Sequence, residues 1–148
     1  MGYQSTTYSF DDVDVVFTHP SIGVHQVNGE GVGTITVTMQ TEKTQHDIAS
    51  DGSVMISKIP GDNANIDIEI QQTSAFHKWL LGYYNFINGA NASFWAAASI
   101  LIRDKIGGAT ITAIDVSPAM RAAKTYTAQG GRVTWNFKAG NCTEVPFA

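Results

Sequence analysis

Apolar and polar residues alternate along four stretches of the chain. These stretches are residues 12–17, 34–40, 65–71 and 132–138. Because successive side chains of a β-strand point to opposite faces, each stretch predicts a strand with one apolar face and one polar face. Such strands are typical of antiparallel sheets that pack on a core through one side. Two weaker strands are predicted at residues 100–103 and 110–114.

One segment follows the helical period instead of the strand period. Apolar side chains recur at helical spacing between Phe76 and Ile87, and Thr73-Ser74 before them can cap the first turn. Asn88-Gly89 supplies the left-handed residue that ends many helices. The pattern therefore predicts one α-helix over about residues 74–88.

Three residues of this helix, Leu81, Tyr84 and Phe86, lie off its main apolar stripe. The predicted helix is therefore apolar around much of its girth, whereas a surface helix normally has a polar back. We expect these three residues to contact a neighbouring subunit. A deep position within one chain would give the same pattern.

Turn signals and composition agree with a fold made mostly of strands. Turn-forming pairs occur at Asn28-Gly29, Asp51-Gly52, Pro60-Gly61, Gly107-Gly108, Ser117-Pro118 and Gly130-Gly131. The chain contains 14 Ile, 11 Val and 15 Thr but only 3 Leu, and β-branched side chains favour strands. Its 148 residues fit one domain, residues 1–148. We predict a mainly β fold, an antiparallel β-sandwich or barrel with one flanking α-helix.

The charge balance argues against nucleic-acid binding. Lys and Arg number 9 against 13 Asp and Glu, the net charge is -4, and only 15% of the residues are charged. Nonspecific affinity for nucleic acid comes from Lys and Arg contacts to phosphate, so this function is disfavoured. Two carboxylate pairs, Asp12 with Asp14 and Asp67 with Glu69, are spaced to share a polar strand face. Each is either a solvated face or an acidic surface past which a polyanion moves.

Candidate catalytic and metal-binding residues lack a recognisable arrangement. His19, His25, His46 and His77 could belong to a metal-dependent β-barrel enzyme, but the sequence has no H-x-H or H-x-x-x-H pair. We interpret them as scattered surface or turn histidines. Cys142 is the only cysteine, which excludes an intrachain disulfide, and the sequence has no G-x-S-x-G motif. We expect no enzyme activity, no cofactor and no bound metal.

Targeting and membrane signals are also not found in the sequence. Residues 1–7 have neither a basic start nor an apolar run, so no signal peptide is predicted. The longest apolar stretch, residues 94–102, is too short to cross a bilayer. We therefore expect the protein to fold in a cytoplasm.

An ordered set of short motifs spans nearly the whole chain. They are Tyr8-Ser9-Phe10, Asp12-Val13, residues 49–55, Gln72-Thr73-Ser74, Tyr84-Asn85, Trp95, Lys124-Thr125-Tyr126, Gly130-Gly131 and residues 133–137. In this order and at these intervals the chain resembles the tail tube proteins of contractile-tailed bacteriophages. It departs from their pattern at His77 and Lys78 and at residues 141–144.

The resemblance implies a structural role without chemistry. Subunits of this kind are β-sandwiches or barrels with one helix, and they form hexameric rings that stack into a hollow tube inside a contractile sheath. The implied partners are copies of the chain itself and the tail sheath, baseplate and tail terminator proteins. DNA would pass through the lumen without specific binding. The implied location is the virion tail, assembled in the host cytoplasm.

Within such a tube we expect two sets of polar residues at defined places. Asp67 and Glu69, and with them Asp12 and Asp14, are expected to face the lumen, because acidic or neutral walls do not attract phosphate. The long polar stretch, residues 41–53, is expected to contact the next ring. Its candidate ring-stacking residues are Thr41, Glu42, Lys43, Gln45, His46 and Asp47.

The main alternative is a small virion-associated β-sandwich that acts as a binding or decoration module. Such a module would recognise a sugar with Trp95 or Trp135. Trp135 alternates with Val133 and Phe137, which is typical of a core residue, whereas Trp95 precedes a strand in a stretch of small residues. Rings or filaments in negative-stain micrographs would favour the tube subunit, and a monomer or trimer on a sizing column would favour the module.

Overall fold

The computed structural model describes residues 2–28, 31–106 and 108–146. Within these residues the chain forms nine β-strands, one α-helix and two short 3-10 helices, Phe10–Asp12 and Ala92–Phe94. The strands are β1 (Val13–His19), β2 (Gly23–Val27), β3 (Val32–Met39), β4 (Thr44–Ile48), β5 (Val54–Lys58), β6 (Ala64–Gln71), β7 (Ala98–Asp104), β8 (Thr110–Pro118) and β9 (Arg132–Val145). The helix, α1 (Ala75–Gly89), follows β6.

Seven of these strands form one antiparallel sheet in the order β2-β1-β7-β8-β9-β6-β3. The sheet curls into a half-barrel, with β2 and β3 at its two edges. In the described part of the chain, β4 and β5 pair only with each other and form a separate hairpin. The predicted mainly β, antiparallel fold with one helix is confirmed.

The core lies between the apolar face of the sheet and α1. The predicted alternation is kept in β6, where Ile66, Ile68 and Ile70 are fully buried and the residues between them are half-buried. Trp135 and Phe137 of β9 are buried on the same face. The helix contributes four buried side chains to this core, Phe76, Leu80, Tyr83 and Ile87. Each such side chain contributes about 1.5–3 kcal/mol when it leaves water, so this face holds the sheet and the helix together.

The bounds of α1 agree with the predicted helix, but the backbone conformation that ends the helix differs from the prediction. Ser74 is the N-cap, and its Oγ accepts a hydrogen bond from the backbone N–H of His77 at 3.2 Å. Gly89 still belongs to the last turn and does not have a positive φ. The helix ends because Ala90 adopts an extended conformation, with φ at -93°. The prediction of a left-handed glycine at this end is wrong.

Three strands, β2, β4 and β5, were not predicted by the alternation of the sequence. The last strand is also longer than predicted: β9 continues through Cys142 to Val145 and pairs there with β8. Residues 141–144, which depart from the tail tube pattern, therefore complete the sheet. Asp12 belongs to the first 3-10 helix rather than to β1, so the strand spacing assumed for Asp12 and Asp14 is wrong.

Three of the predicted turns contain a glycine with positive φ: Gly52, Gly61 and Gly108. Gly52 has φ at 89° and Gly61 has φ at 131°, a region that side chains other than glycine rarely adopt. Gly52 lies at the tip of the β4–β5 hairpin, and Gly61 lies where β5 returns to the sheet. Gly29 and Gly107, which complete two other predicted turn pairs, lie outside the described residues.

Candidate functional site

The β4–β5 hairpin leaves the sheet and has no cover from the rest of the described chain. All five residues of each strand are exposed. Pairing places Ile48 opposite Val54 and His46 opposite Ile56, so these four side chains share one face. Ile48 is 69% exposed and Ile56 is 67% exposed. The hairpin therefore presents an apolar face to solvent, which an isolated soluble chain does not need.

The structure changes the description of the predicted ring-stacking segment. Residues 41–53 are not a polar loop, because Thr44–Ile48 is strand β4 and only its flanks are irregular. Gln45, His46 and Asp47 therefore lie on an exposed strand, whereas Thr41, Glu42 and Lys43 lie at its base. The apolar residues of β5 were missed, although the short apolar run 54–56 in the sequence was the available signal.

Polar contacts fix the hairpin at both of its ends. At the base, the Lys43 Nζ lies 2.8 Å from the Asp62 Oδ1, and the Thr41 hydroxyl donates to the Asn63 Oδ1 at 2.5 Å. At the tip, the Asp51 carboxylate accepts a hydrogen bond from the backbone N–H of Ser53 at 2.9 Å. This hydrogen bond lowers the pKa of Asp51, so the tip carries a negative charge at neutral pH.

Asp67 and Glu69 share the polar face of the sheet, as the spacing predicts. The Asp67 Oδ1 accepts a hydrogen bond from the side-chain amide of Asn136, and the Glu69 Oε1 lies 3.2 Å from the Arg132 Nη1. Lys138 is exposed on the adjacent strand, opposite Asn65. Two acidic and two basic side chains therefore occupy this face, which makes it mixed in charge rather than uniformly acidic.

Asp14 is in a different environment from the other proposed lumen residues. Its side chain is only 10% exposed, and its Oδ2 lies 3.1 Å from the Lys105 Nζ. The Asn28 side-chain amide donates to the Oδ1 at 2.5 Å. The hydrogen bond from Lys105 is the main reason that the pKa of Asp14 is lowered. This carboxylate is therefore paired within the chain and adds no free negative charge to a surface, whereas Asp12 is half-buried in the 3-10 helix.

The three candidate ring-contact residues of α1 are each partly covered by the chain itself. Tyr84 is half-buried, and its ring packs at an angle against the rings of Trp95 and Trp135. Phe86 packs edge-on to Phe94 but remains 44% exposed. Leu81 is half-buried beside segment 119–131, which joins β8 to β9.

The back of α1 is more polar than the sequence pattern predicted. Lys78, Asn85 and Asn88 are exposed there, together with Gly82. The apolar girth of the helix is thus explained largely by cover from the chain itself, and Phe86 is the one of the three candidates that is exposed.

A pocket of about 610 Å³ lies between α1 and segment 119–131. We call it the basic pocket; six of its lining residues are His77, Leu81, Asn85, Arg121, Lys124 and Tyr126. The Lys124 Nζ lies 5.2 Å from the centre of the Tyr126 ring, and Arg121 and Lys124 are exposed. Local sequence patterns did not indicate this pocket, because its two walls lie about forty residues apart in the chain.

His77 forms the buried wall of the basic pocket. It is 2% exposed, and its Nδ1 accepts a hydrogen bond from the Trp135 Nε1–H at 3.0 Å. The proton of the neutral ring therefore lies on Nε2, which has no hydrogen-bond partner among the described residues. Burial, and to a lesser extent the positive charge of Lys124, lower the pKa of His77.

His19 also has a structural role. His19 is 1% exposed, and its Nε2 donates to the backbone oxygen of Phe94 at 3.0 Å. The interpretation of His19 and His77 as surface or turn residues is therefore wrong. Among the described residues, no group of three or more His, Cys, Asp or Glu side chains is arranged to hold a metal ion. Trp135 is fully buried, which excludes it as a ring on which a sugar stacks, and Trp95 is half-buried, with its ring packed edge-on against Tyr84.

A smaller, mostly apolar pocket of about 330 Å³ is lined by residues of β1, β3, β7, β8 and β9 together with Tyr8 and Phe10. Its walls include Ile35, Val37, Ile102 and Cys142. Burial raises the pKa of the Cys142 thiol, which keeps it protonated and unreactive.

Among the residues that the structure describes, no helix combines the length and the apolar character needed to span a membrane.

Comparison with known structures shows the same fold in contractile injection systems. A chain of the anti-feeding prophage baseplate is 11% identical with a TM-score of 0.64, and the match covers 96% of this chain and 97% of that chain. A chain of the anti-feeding prophage tube-terminating cap is 11% identical with a TM-score of 0.60, covering 99% and 95%. A chain of the sheath-tube complex of an extracellular contractile injection system is 8% identical with a TM-score of 0.53, covering 89% and 88%.

Comparison at the level of sequence gives the family. A search of curated proteins returns no match. The family described as Bacteriophage PhiTE tail tube protein matches residues 5–145, which is nearly the whole chain. Proteins of this family are structural and not enzymes. With the half-barrel, the single helix and the free hairpin, this match shows that the chain belongs to the Bacteriophage PhiTE tail tube protein family and is a structural component of a phage tail.

Proposed function

We propose that the chain is the subunit of the inner tube of a contractile phage tail. Its copies assemble into hexameric rings, the rings stack, and the resulting tube is the conduit for the genome. The observation that carries this proposal is the exposed apolar face of the hairpin, formed by Ile48, Val54 and Ile56. Covering apolar surface stabilises an assembly by about 25 cal/mol per Å², so a second copy placed on this face favours stacking.

The hairpin is the proposed contact between successive rings. It extends from the sheet by five paired residues in each strand, which corresponds to a reach of roughly 16 Å. A projecting element of this kind can enter a neighbouring ring while the sheet of its own subunit stays in place. His46 and Asp47 of the predicted stacking segment lie on this projection, and Lys43 fixes its base through Asp62.

Contacts within the ring are assigned to the exposed side of α1 and its surroundings. Phe86 is the strongest candidate, because it is 44% exposed next to the half-buried Phe94. Leu81 and Tyr84 are half-buried and offer a smaller contact area. Heterologous contacts of this type close into a ring when the rotation between neighbours permits it.

The polar face of β3, β6 and β9 is proposed as the wall of the lumen. Asp67 and Glu69 lie on it, and the ion pair with Arg132 keeps the local charge close to neutral. A wall without excess positive charge does not hold phosphate, so DNA passes without specific binding. Asp12, in the 3-10 helix, is assigned to the same side, whereas Asp14 is neutralised by Lys105 and contributes no free charge there.

The remaining partners of the tube follow from its place in a tail. The similar structures come from a baseplate, a tube-terminating cap and a sheath-tube complex. We therefore assign the outer wall of the tube to contact with the sheath, and its two ends to contact with the baseplate and the tail terminator. Assembly of the tail takes place in the host cytoplasm before the virion is released.

Deletion of the β4–β5 hairpin tests the stacking role. Met39 pairs with Ala64, and the Gln40 backbone N–H donates to the Asn63 backbone oxygen at 3.1 Å. Residues 41–62 can therefore be replaced by Asn-Gly, which closes the two strands with a tight turn. We expect the concentrated wild-type protein to form tubes in negative-stain micrographs, and the deletion variant to form rings that remain single.

Two results would contradict the proposed function. A wild-type protein that stays monomeric at high concentration is not a self-assembling tube subunit. A deletion variant that forms tubes as long as those of the wild type would show that the hairpin does not join the rings. Circular dichroism and a thermal melt serve as the folding control, because the deletion also removes the Asp62 backbone oxygen that accepts a hydrogen bond from the Cys142 backbone N–H.

A further inference from the structure

Like the apolar face of the hairpin, the basic pocket is a surface that the other described residues leave uncovered. Arg121 and Lys124 are both exposed at its rim, and neither takes part in an ion pair within the described residues. They stand out in a chain whose net charge is -4. The rest of the lining is mixed: Leu81 and the exposed ring of Tyr126 lie beside the polar side chains of His77 and Asn85. It therefore fits a protruding group that is apolar and negatively charged.

The hairpin tip of this same chain has these properties. Asp51 is exposed at the tip, forms no ion pair within the described residues and carries a negative charge. Ile48 and Val54 flank the tip on one face, and Met55 lies on the other at 60% exposure. The tip thus combines the Asp51 carboxylate with apolar side chains on both faces, and Asp47 adds a second carboxylate opposite Met55. This surface complements two cations that lie beside apolar side chains.

The two surfaces lie toward opposite ends of the subunit. The hairpin joins the sheet where β6 begins, at Ala64. Segment 119–131 joins β9 at Arg132, which pairs with Gln71 at the other end of β6. A contact between complementary surfaces at opposite ends does not close on itself as a twofold dimer, and it can continue from copy to copy.

We propose that the basic pocket receives the hairpin tip of a second copy of this chain, with Asp51 of one copy between Arg121 and Lys124 of the next. This inference rests on the proposed stacking role and names the surface that the hairpin enters. The contact covers the apolar side chains of the tip and pairs the free cations of the pocket.

Charge reversal tests the pairing in the full-length protein. Asp51→Lys places a cation against the pocket, and Arg121→Asp with Lys124→Asp places carboxylates against the tip. Each change should lower the association constant for stacking by about tenfold or more, because like charges then face each other. All three substitutions in one chain restore opposite charges, so tubes should form again. Asp11→Lys and Lys138→Asp are the matched controls, since they reverse exposed charges that belong neither to the pocket lining nor to the hairpin.

Disulfide trapping tests the contact without requiring a finished tube. In a Cys142→Ser background, one preparation carries Asp51→Cys and a second carries Lys124→Cys. The two are mixed under a mild oxidant. A disulfide needs Cα atoms within about 7 Å, so a crosslinked dimer of the two chains forms only if the tip enters the pocket. Lys138→Cys, paired with the same Asp51→Cys chain, is the control.

The outcomes separate this inference from the proposed function. Crosslinks with restored stacking in the triple variant support both. Wild-type tubes without crosslinks, or stacking that resists the charge reversals, would overturn the pocket while leaving the tube role intact. Crosslinks between the two cysteine variants, together with a wild-type protein that forms no rings, support the pocket contact and contradict the tube role. A protein that shows neither crosslinks nor tubes contradicts both.

Discussion

The seven-stranded sheet and the β4–β5 hairpin are both antiparallel and both carry isoleucine, but they use it in different ways. In the sheet, Ile66, Ile68 and Ile70 are fully buried against α1. In the hairpin, Ile48 and Ile56 are 69% and 67% exposed. The difference shows that the apolar pattern of the sheet serves the folding of one chain, whereas that of the hairpin is available for contact between chains.

The largest expected difference in unfolding free energy is between two Ile→Ala substitutions, one in the sheet and one in the hairpin. Ile68→Ala opens a cavity in the core and should lower the free energy of unfolding by about 2–5 kcal/mol. Ile56→Ala removes the same atoms from an exposed strand and should change it by less than about 0.5 kcal/mol. Urea denaturation of the unassembled protein measures both values.

The same pair of variants separates folding from assembly. Ile56→Ala should shorten the tubes seen in micrographs although the subunit stays folded, and Ile106→Ala, at another position with 63% exposure, is the control for surface substitutions. A large loss of unfolding free energy in Ile56→Ala would show that the hairpin belongs to the folding unit. The distinction between the two regions would then be wrong.

A lower pH should have an intermediate effect on the free energy of unfolding, because it favours protonation of the buried His77. Burial lowers the pKa of His77, so the unfolded chain binds a proton that the folded chain excludes. The stabilisation by neutral His77 is complete above about pH 6.5 and is lost as the pH falls below it, at up to about 1.4 kcal/mol per pH unit. His77→Gln, which keeps an acceptor for the Trp135 Nε1–H, should make unfolding less dependent on pH between pH 5 and 7.5.

Urea denaturation at pH 5 and at pH 7.5 measures this dependence. The difference in unfolding free energy between the two pH values is compared for the wild type and His77→Gln. His46→Gln on the exposed strand β4 is the matched control for the substitution. If wild type and His77→Gln lost equal stability on acidification, the proposed cost of protonating the buried ring would be refuted.

The smallest effects are expected from two ion pairs, one in each region. Lys105 pairs with the nearly buried Asp14 beside the sheet, and Lys43 pairs with the half-exposed Asp62 at the base of the hairpin. Lys105→Ala should lower the free energy of unfolding by about 0.5–1 kcal/mol, and Lys43→Ala by less, because solvent screens an exposed pair. Equal effects in urea denaturation would show that burial of Asp14 does not strengthen its pair.

Most of the sheet and the helix could be predicted because their side chains follow one clear period. The alternation in β6 and β9 and the helical spacing in α1 both reflect burial on one side, which the sequence records directly. β4 gave no such signal, since Thr44, Gln45 and Asp47 are polar on both faces of an exposed strand. The hairpin is stabilised by pairing with β5 and by the turn at Gly52, rather than by a buried face.

The candidate surfaces were less predictable than the fold. The shared face of Asp67 and Glu69 followed from strand spacing, but the ion pair with Arg132 brings together residues 63 apart in the chain. Likewise, Asp14 appeared as a surface carboxylate, although Lys105 and Asn28 enclose it in the structure. Contacts of this kind depend on the order of strands in the sheet, and local sequence patterns contain no information about that order.

The length of β9 has a mechanical consequence. This strand runs for 14 residues, on the order of 45 Å, and pairs with β6 along one part and with β8 along the other. A push transmitted along the strand direction therefore loads many backbone hydrogen bonds together, in shear, rather than opening them one after another. In the proposed tube, if a contracting sheath drives it forward, such a strand lets each subunit transmit thrust without unravelling.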